Sequence, residues 1–175
     1  VEEHEGLRMA YLHGWTLLGS GGEYDLLAAL QDDVDGLLLD YRDGFGGTWF
    51  VASRFLLGRS GSGVPGGDAR WNKPVVILTG RGTRSAKEIV VDAVKKAGRA
   101  PLVGTPTPGA VTSVGSFRRV GADGILMLPG IMFELEGHPT RPDHPVERDI
   151  RYCQGADPQM VKAKDVLASL ILNAR

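Results

Sequence analysis

Cysteine is nearly absent from this 175-residue chain. Cys153 stands alone, so it cannot form an internal disulfide, and its solitude leaves the redox compartment open. An excess of one charge is also lacking. The 20 Lys and Arg offset 21 Asp and Glu to a net charge of −1, which gives no general attraction to nucleic acid or to an anionic membrane surface. No apolar run approaches the roughly 20 residues that span a bilayer. The first ten residues, VEEHEGLRMA, contain neither an initiator Met nor a signal-like apolar segment, so the chain reads as a piece of a longer protein. Its four histidines, His4, His13, His138 and His144, show no HExxH or CxxC spacing with one another or with Cys153, and no metal site is expected. What is present suits one globular domain. Hydrophobic residues make up 42% and charged residues 23%, and at this length roughly 70% of the unfolded chain's surface can be buried.

Apolar runs of strand type alternate with helical periodicity along most of the chain. RMAYLH (8–13) reads as a strand, GEYDLLAALQDD (22–33) as a helix, DGLLLDY (35–41) as a buried strand and TWFVASRFLL (48–57) as a helix. GRSGSGVPGGDARWN (58–72) has no period and reads as an exposed, mobile loop. KPVVILTG (73–80) is a third strand, followed by a helix over 84–97 and a further strand in RAPLVG (99–104). SFRRV, GILMLP and IMFELE predict a small β meander, and the final segment, 157–174, predicts a helix that opens with Asp157 as N-cap and Pro158 in its first turn. The alternation implies an α/β fold with a mostly parallel sheet and crossover helices.

In such sheets, chemistry sits beyond the carboxyl ends of the strands. Two glycine-rich turns fall at that edge, DYRDGFGG after the second strand and TGRGTRS after the third. Neither matches a phosphate-binding loop, and no GxSxG elbow is present. Glycines allow backbone amides to approach a ligand, and a helix N-terminus adds unpaired NH groups. Ser85, between the second turn and its helix, has two readings on these residues alone. It can cap the helix with its hydroxyl, or it can act as a nucleophile facing an oxyanion hole.

Five segments in register resemble the carboxyl-terminal processing, or tail-specific, serine peptidases and the related tricorn core. LLLDYRDGFGG is similar to their Asp-x-Arg-x-x-x-Gly-Gly segment, and KPVVILTGRGTRSAKEI to their strand, turn and Ser-Ala-x-Glu nucleophile helix. GRAPLVGTPTPGAV resembles their next strand and loop, and LEGHPTRPD with GADPQMVKAKDVL their closing segment and last helix. The resemblance implies a Clp protease/crotonase-like spiral core without a PDZ domain, acting on peptide or unfolded protein without a cofactor. It leaves a homo-oligomer open and leans towards an extracytoplasmic location. It also implies Ser85 as nucleophile, with an oxyanion hole from the amides of Gly46 or Gly47 and of Ala86. Asp40 and Arg42 would brace the glycine turn, and Glu88 would return to the Ser85 amide in a capping box.

A serine hydroxyl needs a base. The Ser-Lys branch of the family carries a lysine 25 positions after the serine, where this chain has Ala110. Lys87, Lys95 and Lys96 read as solvated, since Lys87 lies about 200° around the helix from Ser85. In the tricorn-like branch a histidine and a glutamate replace the lysine. Glu136 stands at the matching place for the glutamate, with Glu134 second, and the branch's histidine comes from a segment that would precede this chain. Within the chain, His13, at the end of the first strand, is the candidate base. Two functions follow as expectations: a serine endopeptidase core working through Ser85, or a non-catalytic relative that binds a peptide or an apolar ligand in the same cleft.

Overall fold

The computed structural model describes residues 1–58, 68–132, 134–149, 154, 155 and 157–175. Most of the Gly/Ser-rich stretch, residues 59–67, and Cys153 lie outside the described residues. The remaining chain forms an α/β fold around a six-stranded sheet. Its strands in chain order are β1 (Glu2–His4), β2 (Leu7–His13), β3 (Gly36–Asp40), β4 (Val75–Thr79), β5 (Leu102–Gly104) and, later in the chain, β8 (His144–Pro145), and they lie in the sheet in that same order. β1 pairs antiparallel with β2, and all other neighbours pair in parallel.

The helices follow from the need to bury both faces of these strands. All five residues of β3 and of β4 are buried, as continuous apolar runs require. Leu37, Leu39, Val75 and Ile77 face one side, against α1 (Gly21–Leu30), α2 (Phe50–Leu57) and α3 (Ala86–Lys96). Leu38, Val76 and Leu78 face the other, against Ala163, Leu167 and Ile171 of α4 (Pro158–Asn173). Three successive crossover helices on one face of strands laid down in order give the sheet its spiral course. α4 closes the opposite face and comes so near that a Cβ on Gly36 would sit 2.9 Å from Leu167 Cδ1. Its N-terminus forms as predicted: the Asp157 carboxylate accepts the Met160 amide at 3.0 Å, with Pro158 in the first turn.

The meander differs from the expectation. The described part is a single hairpin, β6 (Thr112–Val120) and β7 (Gly124–Met132), in which GILMLP and IM form one strand. Gly130 interrupts the apolar pattern in the sequence, yet it pairs closely with Gly115 across the hairpin, where a Cβ would lie 2.6 Å from the Gly115 Cα. Phe133 lies outside the described residues. β1 and β8 were not legible, because three and two residues are too short to show a period.

Candidate active site

The carboxyl ends of β2, β3 and β4 bring three turns together. After β4, the Gly80–Arg84 turn closes on itself: the Gly80 amide donates to Thr83 Oγ1 at 2.9 Å and the Thr83 amide to the Gly80 carbonyl at 3.0 Å. It is also tied to β3's exit. Thr83 Oγ1 donates to the Tyr41 carbonyl at 2.9 Å, and the Gly82 amide donates to the Arg42 carbonyl at 3.0 Å. A side chain at position 82 would collide with that carbonyl, so the glycine is required by close approach.

Ser85 follows with φ 56° and ψ −127°. Among the described non-glycine residues, only Glu5 shares its positive φ. Such a conformation costs of order 1–3 kcal/mol and persists where its surroundings enforce it. Here the Ser85 amide is held by the Ala110 carbonyl at 2.7 Å. The Ser85 side chain does not cap α3, and among the described residues its hydroxyl has no hydrogen-bond partner.

Gly46 stands directly against this serine. A Cβ on Gly46 would lie 2.5 Å from Ser85 Cβ, 2.8 Å from Ser85 Oγ and 2.9 Å from the Ala86 nitrogen. The amides of Gly46 and Ala86 make no hydrogen bond among the described residues. Gly47, the other candidate, has φ 132° and faces elsewhere: its Cβ would meet the Leu18 nitrogen at 2.5 Å. The glycine turn is fastened to the segment after β2, since the Gly46 carbonyl accepts the Leu17 amide at 2.8 Å and Thr16 Oγ1 at 3.0 Å.

Arg42 braces the turn through more partners than the sequence suggested. Its Nε donates to Asp40 Oδ1 at 2.9 Å, NH1 to Asp157 Oδ2 at 2.8 Å and NH1 to Gln159 Oε1 at 3.1 Å. The N-cap residue of α4 is thus also an ion-pair partner at the exit of β3. Burial works against the Asp40 carboxylate, but the bonds and charge of Arg42 hold it below the usual carboxylate range.

Two expectations require correction. The Glu88 carboxylate does not return to the Ser85 amide. It accepts instead from Thr107 Oγ1 at 2.6 Å, the Gly109 amide at 2.9 Å and the Ala110 amide at 2.6 Å, clamping the loop after β5. The positive φ of Ser85 turns its amide away from the helix axis, so a reciprocal cap cannot form. Lys87 is not solvated but fully buried. The 200° offset that removes it from Ser85 points it inward, beneath the glycine turn, where Nζ donates to the Trp15 carbonyl at 3.1 Å and the Asp43 carbonyl at 2.5 Å. Nζ also lies 5.6 Å from the centre of the Tyr41 ring. Burial brings its pKa down to about 8, against the pull of Asp40 and Asp43. Lys95 bonds Asp143 and the Arg141 carbonyl, and Lys96 bonds Asp92 at the surface.

The cost of charging Lys87 in the fold is present in full below about pH 8 and is relieved as the pH rises towards the ordinary value of 10.5. Relative to Lys87→Met, the wild-type protein should therefore gain about 2 kcal/mol of unfolding free energy between about pH 7.5 and 9.5. Urea denaturation at the two pH values measures this, and a constant difference would show that Lys87 is not buried as a charged group.

None of the remaining candidates bonds Ser85 among the described residues. Glu136 Oε2 accepts the Val111 amide at 2.6 Å and Thr112 Oγ1 at 2.8 Å, one residue beyond the carbonyl that holds Ser85. Glu134 is exposed, beside a surface hollow that Ile89 and His138 also line. The His13 ring is exposed and meets Trp15 edge-on at 5.9 Å. A cleft of about 710 Å³ opens between the Gly80–Arg84 turn and the 105–108 loop, with Arg81, Arg84 and Arg148 among its walls. Among the described residues no cluster of His, Cys, Asp and Glu could hold a metal ion, and no helix is long and apolar enough to cross a membrane.

Comparison with solved structures finds the same fold in the photosystem II D1 C-terminal processing protease, at 20% identity and a TM-score of 0.62, over 79% of this chain and 42% of that one. The tricorn protease matches 97% of this chain with 18% of its own, at 22% identity and a TM-score of 0.68. A lipoprotein from Streptococcus agalactiae matches 96% of this chain with 68% of its own, at 15% identity and a TM-score of 0.63. This chain therefore spans less than half the length of either protease. A search of curated proteins found no match. The family model for peptidase family S41 matches residues 58–152, which include the β4 strand, the Gly80–Arg84 turn, Ser85 and the Ala110 loop. With that model spanning more than half of the chain, and the fold shared with two proteases, the chain is a member of peptidase family S41.

Proposed function

We propose that this chain is the catalytic core of a serine endopeptidase that cleaves peptides or unfolded protein by acyl transfer through Ser85. The observation that carries the reading is the backbone of Ser85. Its positive φ lifts the hydroxyl off the helix it precedes and sets it beside Gly46 and the Ala86 amide. In this mechanism Ser85 Oγ attacks the scissile carbonyl carbon and yields its proton to a base. The oxyanion that forms accepts hydrogen bonds from the amides of Gly46 and Ala86, and the leaving amine takes up the proton. Water then attacks the acyl group and restores the free serine. Each oxyanion donor of this kind contributes about 2.7–4 kcal/mol to transition-state stabilisation.

In this reading the base comes from outside the described residues, with His13 as the alternative among them. Lys87 is committed to two carbonyls on the far side of the helix, and Glu88 and Glu136 accept bonds from the loop around Ala110. Glu136, which bonds the Val111 amide and Thr112 hydroxyl of that loop, would orient a base that approaches along it. A second reading, a non-catalytic binder of peptide or apolar ligands, is favoured by one observation: Ala110 offers only its carbonyl to Ser85.

Treating the full-length protein with an active-site-directed serine phosphonate and mapping the adduct separates the two. The peptidase reading expects a single adduct on Ser85, lost in Ser85→Ala. Folded protein that carries no adduct at Ser85 would favour the binder.

A further inference from the structure

Lys87 is the one fully buried lysine among the described residues, and the chemistry above makes no use of it. Its surroundings give it a task. The segment Trp15–Leu17 and the turn Asp43–Gly46 are joined to each other: the Phe45 amide donates to the Trp15 carbonyl at 2.7 Å, and the Leu17 amide and Thr16 hydroxyl donate to the Gly46 carbonyl. Those bonds hold the two loops together but do not tie them to α3, the helix that Ser85 leads. Lys87 makes that tie, from a position two residues after Ser85, by donating to one carbonyl in each loop.

We propose that the Lys87 ammonium is a positioning residue for the oxyanion hole, anchoring the Gly46 turn to the Ser85 helix. The assignment rests on the reading of Ser85 and Gly46 given above. An oxyanion hole tolerates little displacement, and a shift of about 1 Å at a reacting group can lower a rate about 100-fold. The ammonium has three donors, and its bonds are about twice as strong as those of a neutral amine. Loss of the proton, which burial brings to about pH 8, therefore weakens the anchor.

The charged and titratable groups around it are Asp40, Tyr41 and Asp43 on β3 and its turn, with Arg42 and Arg148 paired to the two aspartates. From the β2 side come Trp15 and, against its ring, His13. Glu88 on the same helix is occupied by the loop after β5. Neutral Lys87 is easier to bury, so global stability rises with pH while the local hold on the turn falls.

The test uses the full-length protein and two readouts between about pH 6.5 and 9.5. The first is hydrogen exchange of the Phe45 amide, compared with that of Ile77 in β4. The second is phosphonylation of Ser85, resolved into a limiting rate and a half-saturating concentration, in wild type, Lys87→Met and Lys87→Arg. The expected result is a fall of about 10-fold or more in wild-type Phe45 protection as the pH passes 8, with Ile77 unchanged. Lys87→Met should show a limiting rate about 10- to 100-fold lower at pH 7 with half-saturation unaltered. Lys87→Arg, which keeps its charge, should restore part of that rate and remove the decline above pH 8. A Phe45 protection that is flat with pH, or a Lys87→Met rate within about 2-fold of wild type, overturns the proposal. If either variant fails to fold, the wild-type exchange profile decides alone. If Ser85 is never phosphonylated, the peptidase reading fails, while Phe45 exchange still reports whether Lys87 anchors the turn.

Discussion

Gly46→Ala is expected to lower the rate of Ser85 acylation at least about 100-fold while the protein stays folded. The new methyl would lie 2.5 Å from Ser85 Cβ and 2.8 Å from its hydroxyl oxygen, closer than van der Waals contact permits. One of the two must move, and either movement displaces the Gly46 amide from the proposed oxyanion site it would share with the Ala86 amide. The damage is confined to the turn, because the contacts crowded by the methyl belong to Ser85 and Ala86 rather than to the sheet. Gly47→Ala makes a useful contrast. Its φ of 132° and its approach to Leu17 and Leu18 place the strain in the backbone, away from Ser85. It should reduce stability more than Gly46→Ala does. Phosphonylation rates and thermal melts of the two variants decide the matter, and a Gly46→Ala rate within about 3-fold of wild type would remove this amide from the mechanism.

Arg42→Leu should give the largest loss of stability. Removing one partner of a buried ion pair costs about 3–5 kcal/mol, because the other charge is left without compensation. Here Asp40 is almost fully buried, and without the guanidinium its hydrogen bonds among the described residues are those from the Tyr11 hydroxyl at 3.1 Å and the amide of residue 42 at 3.1 Å. Asp157 and Gln159 lose their contact with the exit of β3 at the same time. For a domain of this size, 1 kcal/mol corresponds to about 2–4 °C, so Tm should fall by roughly 6–20 °C. The sign with pH follows from the lowered pKa of Asp40. Its ion pair stabilises the fold above the unfolded carboxyl pKa of about 4, and the difference between wild type and variant should shrink as the pH falls below that value. Calorimetry at pH 7 and pH 3 tests both parts, and a Tm change under about 2 °C at pH 7 would show that the network is dispensable.

The candidate site was legible wherever it depended on local chain geometry. Strand, glycine turn and helix follow one another in KPVVILTGRGTRSAKEI, so the position of Ser85 at a strand-to-helix turn could be read directly. That Gly46 rather than Gly47 faces it could not. The choice depends on the parallel bridge between Leu17 and Gly47, which joins residues 30 positions apart. Lys87 and Glu88 were misplaced for a related reason. A lysine at the start of a helix is ordinarily solvated, and a glutamate three residues after a serine ordinarily caps it. Both habits describe an isolated helix. In this fold the Asp43–Gly46 turn covers one side of α3 and the 107–110 loop the other, and both side chains bond to backbone groups from those loops.

From sequence alone, the α/β class, the order of the long strands and helices, the N-cap of α4 and the serine at its turn were all determined, because hydrophobic periodicity and turn chemistry act within about ten residues. Tertiary structure alone decided which glycine meets the serine, that Arg42 joins the exit of β3 to the start of α4, and that a lysine two residues after Ser85 is buried beneath the Gly46 turn. These depend on contacts between distant segments, where the energy of burial and of satisfying buried carbonyls outweighs the preference of any single residue for water.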